Sequence, residues 1–100
     1  NYKKIFIENI ILKLRKFKKI NDKIHLIKID VNGYEYEIIK CLKKQIIRDH
    51  PLLVVENNKK IKNISNYLEK FGYKKYYNNN GKLNTHTNQK VLDIFFILKK

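Results

Sequence analysis

Two short apolar runs constrain the fold of this chain more than any other feature. Residues 24–30 and 52–56 are apolar at both odd and even positions, so both faces of each strand need to be covered. The amphipathic stretch between them, residues 34–48, has the spacing of a helix. A strand, a helix and a second strand of this kind are typical of a βαβ unit, in which the strands are parallel. The sequence therefore predicts an α/β fold with helices on a parallel sheet.

Further elements are predicted on both sides of this unit. The spacing of apolar residues indicates helices over 8–19 and 61–71 and strands over 73–77 and 91–98. The polar stretch 78–90 is interpreted as a loop. The last two strands are long enough to pair with each other, and we expect them to form an antiparallel pair at one edge of the sheet.

Each of the two buried strands is followed by a carboxylate. Asp30 comes after the first strand and Glu56 ends the second. Neighbouring strands lie about 4.8 Å apart, and ligands of open α/β sheets bind beyond the carboxyl ends of the strands. We therefore expect both acids to line one cleft, where close negative charges raise one pKa and suit a general base for a hydroxyl acceptor. The alternative is that each acid caps the following helix.

Three further residues have a role that the local pattern suggests. Gly33 indicates a positive φ or the close approach of another segment. Glu35 lies in the first turn of a helix, where a carboxylate interacts favourably with the helix dipole. His86, in the polar stretch, could reach a cleft and act as an acid or a base, and simple exposure to solvent is the alternative.

The chain is strongly basic, with 23 Lys and Arg residues, 9 Asp and Glu residues and a net charge of +14. Such a charge can mark a nucleic-acid-binding protein, but the lysines are spread along every segment and only Arg15 and Arg48 are arginines. Lys, Ile and Asn supply half of the chain, a bias that an A+T-rich coding sequence produces whatever the function. We interpret the lysines as a solvated surface, with a basic nucleic-acid-binding module as an alternative.

The single cysteine, Cys41, excludes an internal disulfide and a cysteine-cluster zinc site, and no metal is predicted. A reducing, cytoplasmic location is expected from this cysteine usage. No segment approaches the roughly 20 apolar residues of a membrane span. A length of 100 residues corresponds to one small domain or to part of one.

The order of these segments resembles the C-terminal half of FkbM-type methyltransferases, which have a Rossmann-like fold and use S-adenosylmethionine. The family pattern K-I-D-V-E-G-x-E is similar to residues 28–35, KIDVNGYE, and the pattern P-x-x-V-x-E is similar to residues 51–56, PLLVVE. A Gly-Tyr pair at 72–73 and a final F-F-I strand at 95–97 follow in the same order. Asn32 departs from the pattern, which usually has Glu at this position.

The resemblance implies a partial class I methyltransferase sheet and transfer of a methyl group to an oxygen of a sugar, a glycan or another small molecule. It makes Asp30 and Glu56 the catalytic candidates, with Asp30 taking or orienting the hydroxyl proton. The substrate-binding candidates are Asn32, Gly33, Glu35 and His86.

A Gly-rich cofactor loop is not found in this sequence, because Gly33, Gly72 and Gly81 form no G-x-G pair. In the family's fold this loop follows the first strand, and by analogy that strand would precede residue 1. We therefore expect residues 1–100 to be the C-terminal portion of one methyltransferase domain, which alone neither binds S-adenosylmethionine measurably nor is active.

Because the cofactor loop is not found and Asn32 replaces the usual Glu, a non-catalytic remnant or an interaction domain is an alternative to the enzyme. The outer edge of the strand at 24–30 is expected to be exposed, and through it the chain is expected to associate with itself.

Overall fold

The computed structural model describes residues 23–87 and 89–99. These residues form five strands and three helices in the order β1 (Leu26–Ile29), α1 (Glu35–Cys41), α2 (Lys43–Asp49), β2 (Leu52–Glu56), α3 (Ile61–Glu69), β3 (Tyr73–Asn79), β4 (Lys82–Asn84) and β5 (Asp93–Leu98). The α/β class is confirmed. The predicted helix over 8–19 lies outside the described residues.

The strands form one mixed sheet in the order β1-β2-β5-β3-β4. β1 and β2 are parallel, with Ile29 opposite Val55, as predicted for the βαβ unit. β5 is antiparallel to both of its neighbours, β2 and β3. The predicted antiparallel pair of β3 and the final strand is therefore confirmed, and it lies on the side of the sheet away from β1, with only the short β4 beyond it.

The composition of the two strands explains why β5, and not β3, lies next to β2. β5 carries Ile94 and Phe96, each only 1% exposed, and Phe95 and Ile97 between and after them are half-buried. A strand that is apolar on both faces is stabilised between two neighbours. β3 carries Lys74 and Lys75, and lysines suit a strand near the edge of a sheet.

The predicted loop over 78–90 contains secondary structure that the sequence analysis missed. β3 continues to Asn79, and the turn Asn80-Gly81 brings β4 back along it. Both turn residues have a positive φ, 53° and 86°, as in a type I′ hairpin turn. Asn-Gly is a strong hairpin signal when apolar residues alternate on each side, but here its neighbours are mostly polar.

The helical stretch after β1 is divided at Leu42. This residue lies between α1 and α2 with φ −88° and ψ 10°, and its N–H donates to the carbonyls of both Ile38 and Ile39. Leu42 is only 2% exposed, so the division occurs where the helical stretch contacts the core. Within residues 23–87 and 89–99, no helix combines the length and the hydropathy that crossing a membrane requires.

The helices and the sheet share one hydrophobic core. Its buried residues are Ile29, Ile38, Ile39, Leu42, Ile46, Leu53, Val55, Ile64, Leu68, Tyr73, Ile94 and Phe96. The strand members of this core occupy alternate positions, so they lie on one face of the sheet. β1 forms one edge of the described sheet, where Leu26 is 56% exposed, and self-association through this edge stays a prediction.

We expect Leu53→Ala to lower the free energy of unfolding by about 2–5 kcal/mol. Leu53 is 0% exposed and lies in β2 between β1 and β5, so its truncation leaves a cavity. Leu92→Ala removes the same atoms at a position that is 80% exposed, and we expect a change below about 0.5 kcal/mol. Urea denaturation followed by circular dichroism measures both values, and equal losses would contradict this placement of the core.

Candidate active site

The carboxyl ends of β1 and β2 meet at one edge of the sheet because the two strands are parallel. Asp30 directly follows β1 and Glu56 is the last residue of β2. Carboxylate oxygens of Asp30, Glu35 and Glu56 all lie within 4.8 Å of one another. The structure therefore brings the two predicted catalytic residues together, while their catalytic role stays a prediction.

Glu35 is the most buried member of this cluster, with only 1% of its surface exposed. Its Oε2 accepts a hydrogen bond from the N–H of Val31 and its Oε1 accepts one from the N–H of Gly33, both at 2.9 Å. These bonds satisfy main-chain donors of the turn that a helix start leaves free. Glu35 thus stabilises the turn that follows Asp30. Its role in substrate binding stays a prediction.

The turn after Asp30 depends on a backbone conformation that few residues adopt readily. Asn32 has a φ of 48° and Gly33 a φ of 98°, and the N–H of Tyr34 donates to the carbonyl of Val31 at 3.4 Å. Asn adopts a positive φ more readily than most residues with a side chain. Asn32 therefore suits the turn, and both turn residues are exposed beside the carboxyl cluster.

The contact between Asp30 and Glu56 changes the acidity of the site. The pKa of Glu56 is raised above its ordinary value of 4.5. The largest cause is a hydrogen bond between its carboxyl group and that of Asp30, followed by the negative charge of Asp30. Loss of hydration and the charges of Glu35 and Asp93 add to the increase.

A hydrogen bond between Asp30 and Glu56 forms only when one of the two groups carries a proton. Two ionised carboxylates offer only acceptors, and Glu56 Oε2 is a buried oxygen that receives no hydrogen bond within the part of the chain that the structure describes. A proton held by the pair supplies the donor that the two groups otherwise lack. The pair can therefore release and take up one proton at a pH closer to neutrality than a lone Glu does.

Asp93 is a site residue that the sequence analysis missed. It opens β5 and lies opposite Glu56 in the antiparallel register. Asn57 holds the preceding segment in place, because its main-chain N–H donates to the carbonyl of Leu92 at 2.6 Å and its Nδ2 donates to that of Val91 at 3.1 Å. The first residue of an antiparallel strand lies beside the last residues of its neighbours. The sequence could therefore have indicated Asp93 as a site residue only if β5 had been placed beside β2.

The structure does not bring His86 into the carboxyl cluster. His86 is exposed in the segment after β4, and its main-chain carbonyl accepts a hydrogen bond from Asn79 Nδ2 at 3.4 Å. Among the residues that the structure describes, the cluster around Asp30 includes no histidine. The role of His86 in substrate binding stays a prediction.

Three adjacent carboxylates are also of the type that binds Mg²⁺ or Ca²⁺. Both oxygens of Glu35 are already engaged by main-chain N–H groups. Asp30 and Glu56 each have a carboxylate oxygen within 4.8 Å of one of Glu35. The free oxygens of the cluster are therefore mainly those of Asp30 and Glu56, which can also accept hydrogen bonds from hydroxyl groups.

Comparison with known proteins supports one family. The model of the methyltransferase FkbM domain matches residues 6–75. This match includes Asp30, Glu35 and Glu56 and ends before Asp93. Searches of curated proteins and of solved structures return no significant match.

We expect Glu35→Gln to lower the free energy of unfolding by about 1–3 kcal/mol, because an amide nitrogen cannot accept from the turn. Glu69→Gln makes the same change at an exposed position on α3, and we expect a change below about 0.5 kcal/mol. Chemical denaturation measures stability, and hydrogen exchange at the Gly33 amide reports the bond itself. Exchange at Gly33 that is no faster in Glu35→Gln would show that the bond does not protect it.

We expect Asp30→Asn to lower the pKa of Glu56. The substitution removes the negative charge and leaves an amide that donates to the ionised carboxylate. Asp93→Asn is the matched control, and a smaller decrease is expected because Asp93 is the weakest of the causes that raise this pKa. NMR titration of the Glu56 carboxyl carbon measures the change, and equal decreases in both variants would exclude a special contact with Asp30.

Proposed function

Since this chain belongs to the FkbM methyltransferase family, we propose that its carboxyl cluster binds the methyl acceptor of an S-adenosylmethionine-dependent reaction. The acceptor is a hydroxyl group of a sugar, a glycan or another small molecule, and the sheet is part of a Rossmann-like class I domain. The observation that carries the proposal is the meeting of the Asp30, Glu35 and Glu56 carboxylates, whose oxygens lie within 4.8 Å of one another at the edge where α/β sheets bind ligands.

The pair supplies what a hydroxyl acceptor needs. A neutral hydroxyl is a weak nucleophile and must lose its proton as its oxygen forms the new bond to carbon. Asp30 is exposed at the edge, so it can accept a hydrogen bond from the acceptor and orient its oxygen. Above the raised pKa of Glu56 both groups are ionised, and the pair then takes up the proton that the hydroxyl releases.

The turn after β1 has few free N–H groups to offer the cofactor. S-adenosylmethionine, when bound, supplies the methyl group, and its carboxylate needs a loop with free N–H groups. In the turn after β1, the N–H groups of Val31 and Gly33 are already bound by Glu35. Residues outside the described ranges are therefore expected to hold the cofactor.

The occupied turn also favours one alternative, a domain of this family that keeps its fold without catalysis. Such a domain predicts no methyl transfer and no dependence on Asp30. The basic composition suggests a second alternative, a nucleic-acid-binding module, whose affinity would fall steeply as salt is raised.

The test uses the natural protein that contains this chain, with S-adenosylmethionine labelled in its methyl group. Sugars and their deoxy analogues are offered as acceptors in matched pairs. We expect label only where the hydroxyl is present, with a rate that rises with pH through the raised pKa of Glu56. We expect Asp30→Asn to lower kcat by about 10²- to 10⁴-fold and to change KM much less.

Glu69→Gln, on the exposed side of α3, is the matched control and should keep both kinetic constants. Label in an acceptor with an Asp30→Asn rate equal to that of the control would refute the role of the pair. If none of the sugars offered as acceptors becomes labelled, the result would favour the non-catalytic domain.

A further inference from the structure

The free edge of the sheet beside β3 is only partly covered by β4. The pairing of these strands extends from Asn79 opposite Lys82 to Tyr77 opposite Asn84. β4 ends at Asn84, so the first part of β3, residues 73–76, pairs with β5 alone within the described chain. Within the described chain, the outer edge of residues 73–76 of β3 therefore has no neighbouring strand. This open stretch begins where the chain leaves β3 at Thr85.

The open stretch presents unpaired main-chain groups to the outside. Lys99 donates its N–H to the carbonyl of Gly72 at 2.6 Å, so this carbonyl points towards β5, as do the main-chain groups of every second residue after Gly72. The groups of Tyr73 and Lys75 then point away from β5. The hairpin gives the same direction for the odd-numbered residues of β3. Asn79 closes the two-residue turn and its main-chain groups point towards β4, away from β5, so those of Tyr73 and Lys75 do so as well.

Tyr73 and Lys75 thus present two N–H donors and two carbonyl acceptors at the edge. No described residue makes a main-chain hydrogen bond with these four groups. They are those that a further strand would use. An extended segment added here would continue the ladder that β4 leaves at Tyr77.

A cleft of about 490 Å³ lies along this open edge. Its lining residues are Ser65, Glu69, Gly72, Tyr73, Lys74, Lys75, Thr85 and Lys99. Three lysines face one carboxylate, so the cleft is positively charged. Side chains alternate along a strand, so Lys74 and Lys75 lie on opposite faces of the sheet and flank the edge on both sides.

We propose that this cleft, the β3 notch, binds an extended acidic segment of a partner polypeptide by strand addition. Main-chain bonds to Tyr73 and Lys75 supply the pairing, and Asp or Glu side chains of the partner contact the flanking lysines. The three lysines decide the charge of the occupant. A second copy of this chain is disfavoured, since it too carries a net charge of +14 and lysines on an edge oppose pairing with like-charged strands.

The experiment measures binding of short blocked peptides to the protein by NMR. A peptide of alternating Glu and Thr is the probe, and its N-methylated form at alternate residues has the same charge but fewer N–H donors. We expect the unmodified peptide to shift the amide signals of Tyr73 and Lys75 and to slow their hydrogen exchange. We expect the N-methylated peptide to bind at least tenfold more weakly.

Charge is tested with Lys74→Glu and Lys99→Glu, each expected to weaken binding about tenfold. Lys44→Glu is the matched control on the exposed surface of α2 and should bind as the unsubstituted protein does. Equal affinity of the N-methylated peptide would overturn strand addition. Absence of binding at millimolar peptide, or equal shifts of Tyr73 and Lys75 with polyphosphate or single-stranded DNA, would overturn an acidic polypeptide as the occupant. None of these measurements depends on methyl transfer.

Discussion

The candidate site depends on the parallel pairing of β1 with β2. A strand of five residues is about 17 Å long, so an antiparallel β2 would place Glu56 that far from Asp30. The helical crossover between the strands requires the parallel arrangement, and the buried pair Ile29 and Val55 sets the register beside the site. A slip by one residue would turn these side chains out of the core. The same apolar contacts that stabilise the fold therefore determine whether two carboxyl groups meet.

Glu35 links the fold to the site in a different way. It lies within 4.8 Å of the proposed acid–base pair, yet both of its oxygens accept main-chain N–H groups. An ionised carboxylate is the form that accepts two such bonds. Glu35 thus stabilises the turn that follows Asp30. The proposed chemistry can then be assigned to two residues, although three carboxylates are adjacent.

Local patterns in the sequence predicted those parts of the fold that local interactions determine. Residues 52–56 were assigned with the bounds that the structure has, because Pro51 and the acid at position 56 delimit the apolar run. The insertion of β5 between β2 and β3 depends on contacts between residues about 40 positions apart, which no periodicity reports. Asp93 was missed for the same reason. The role of Glu35 was also hidden, since a first-turn carboxylate that interacts with the dipole and one that bonds the preceding turn look alike in a sequence.

The acidity of Glu56 shows that short-range contacts outweigh the net charge of the chain. A charge of +14, felt at long range, would stabilise ionised carboxylates and lower their pKa. Salt screens such interactions beyond about 8 Å at physiological ionic strength, whereas a carboxylate oxygen of Asp30 lies within 4.8 Å of one of Glu56 and the charge raises the pKa of Glu56. No lysine is among the causes that shift the pKa of Glu56. A lysine-rich surface is therefore compatible with a proton-accepting site, provided that no lysine enters the cluster itself.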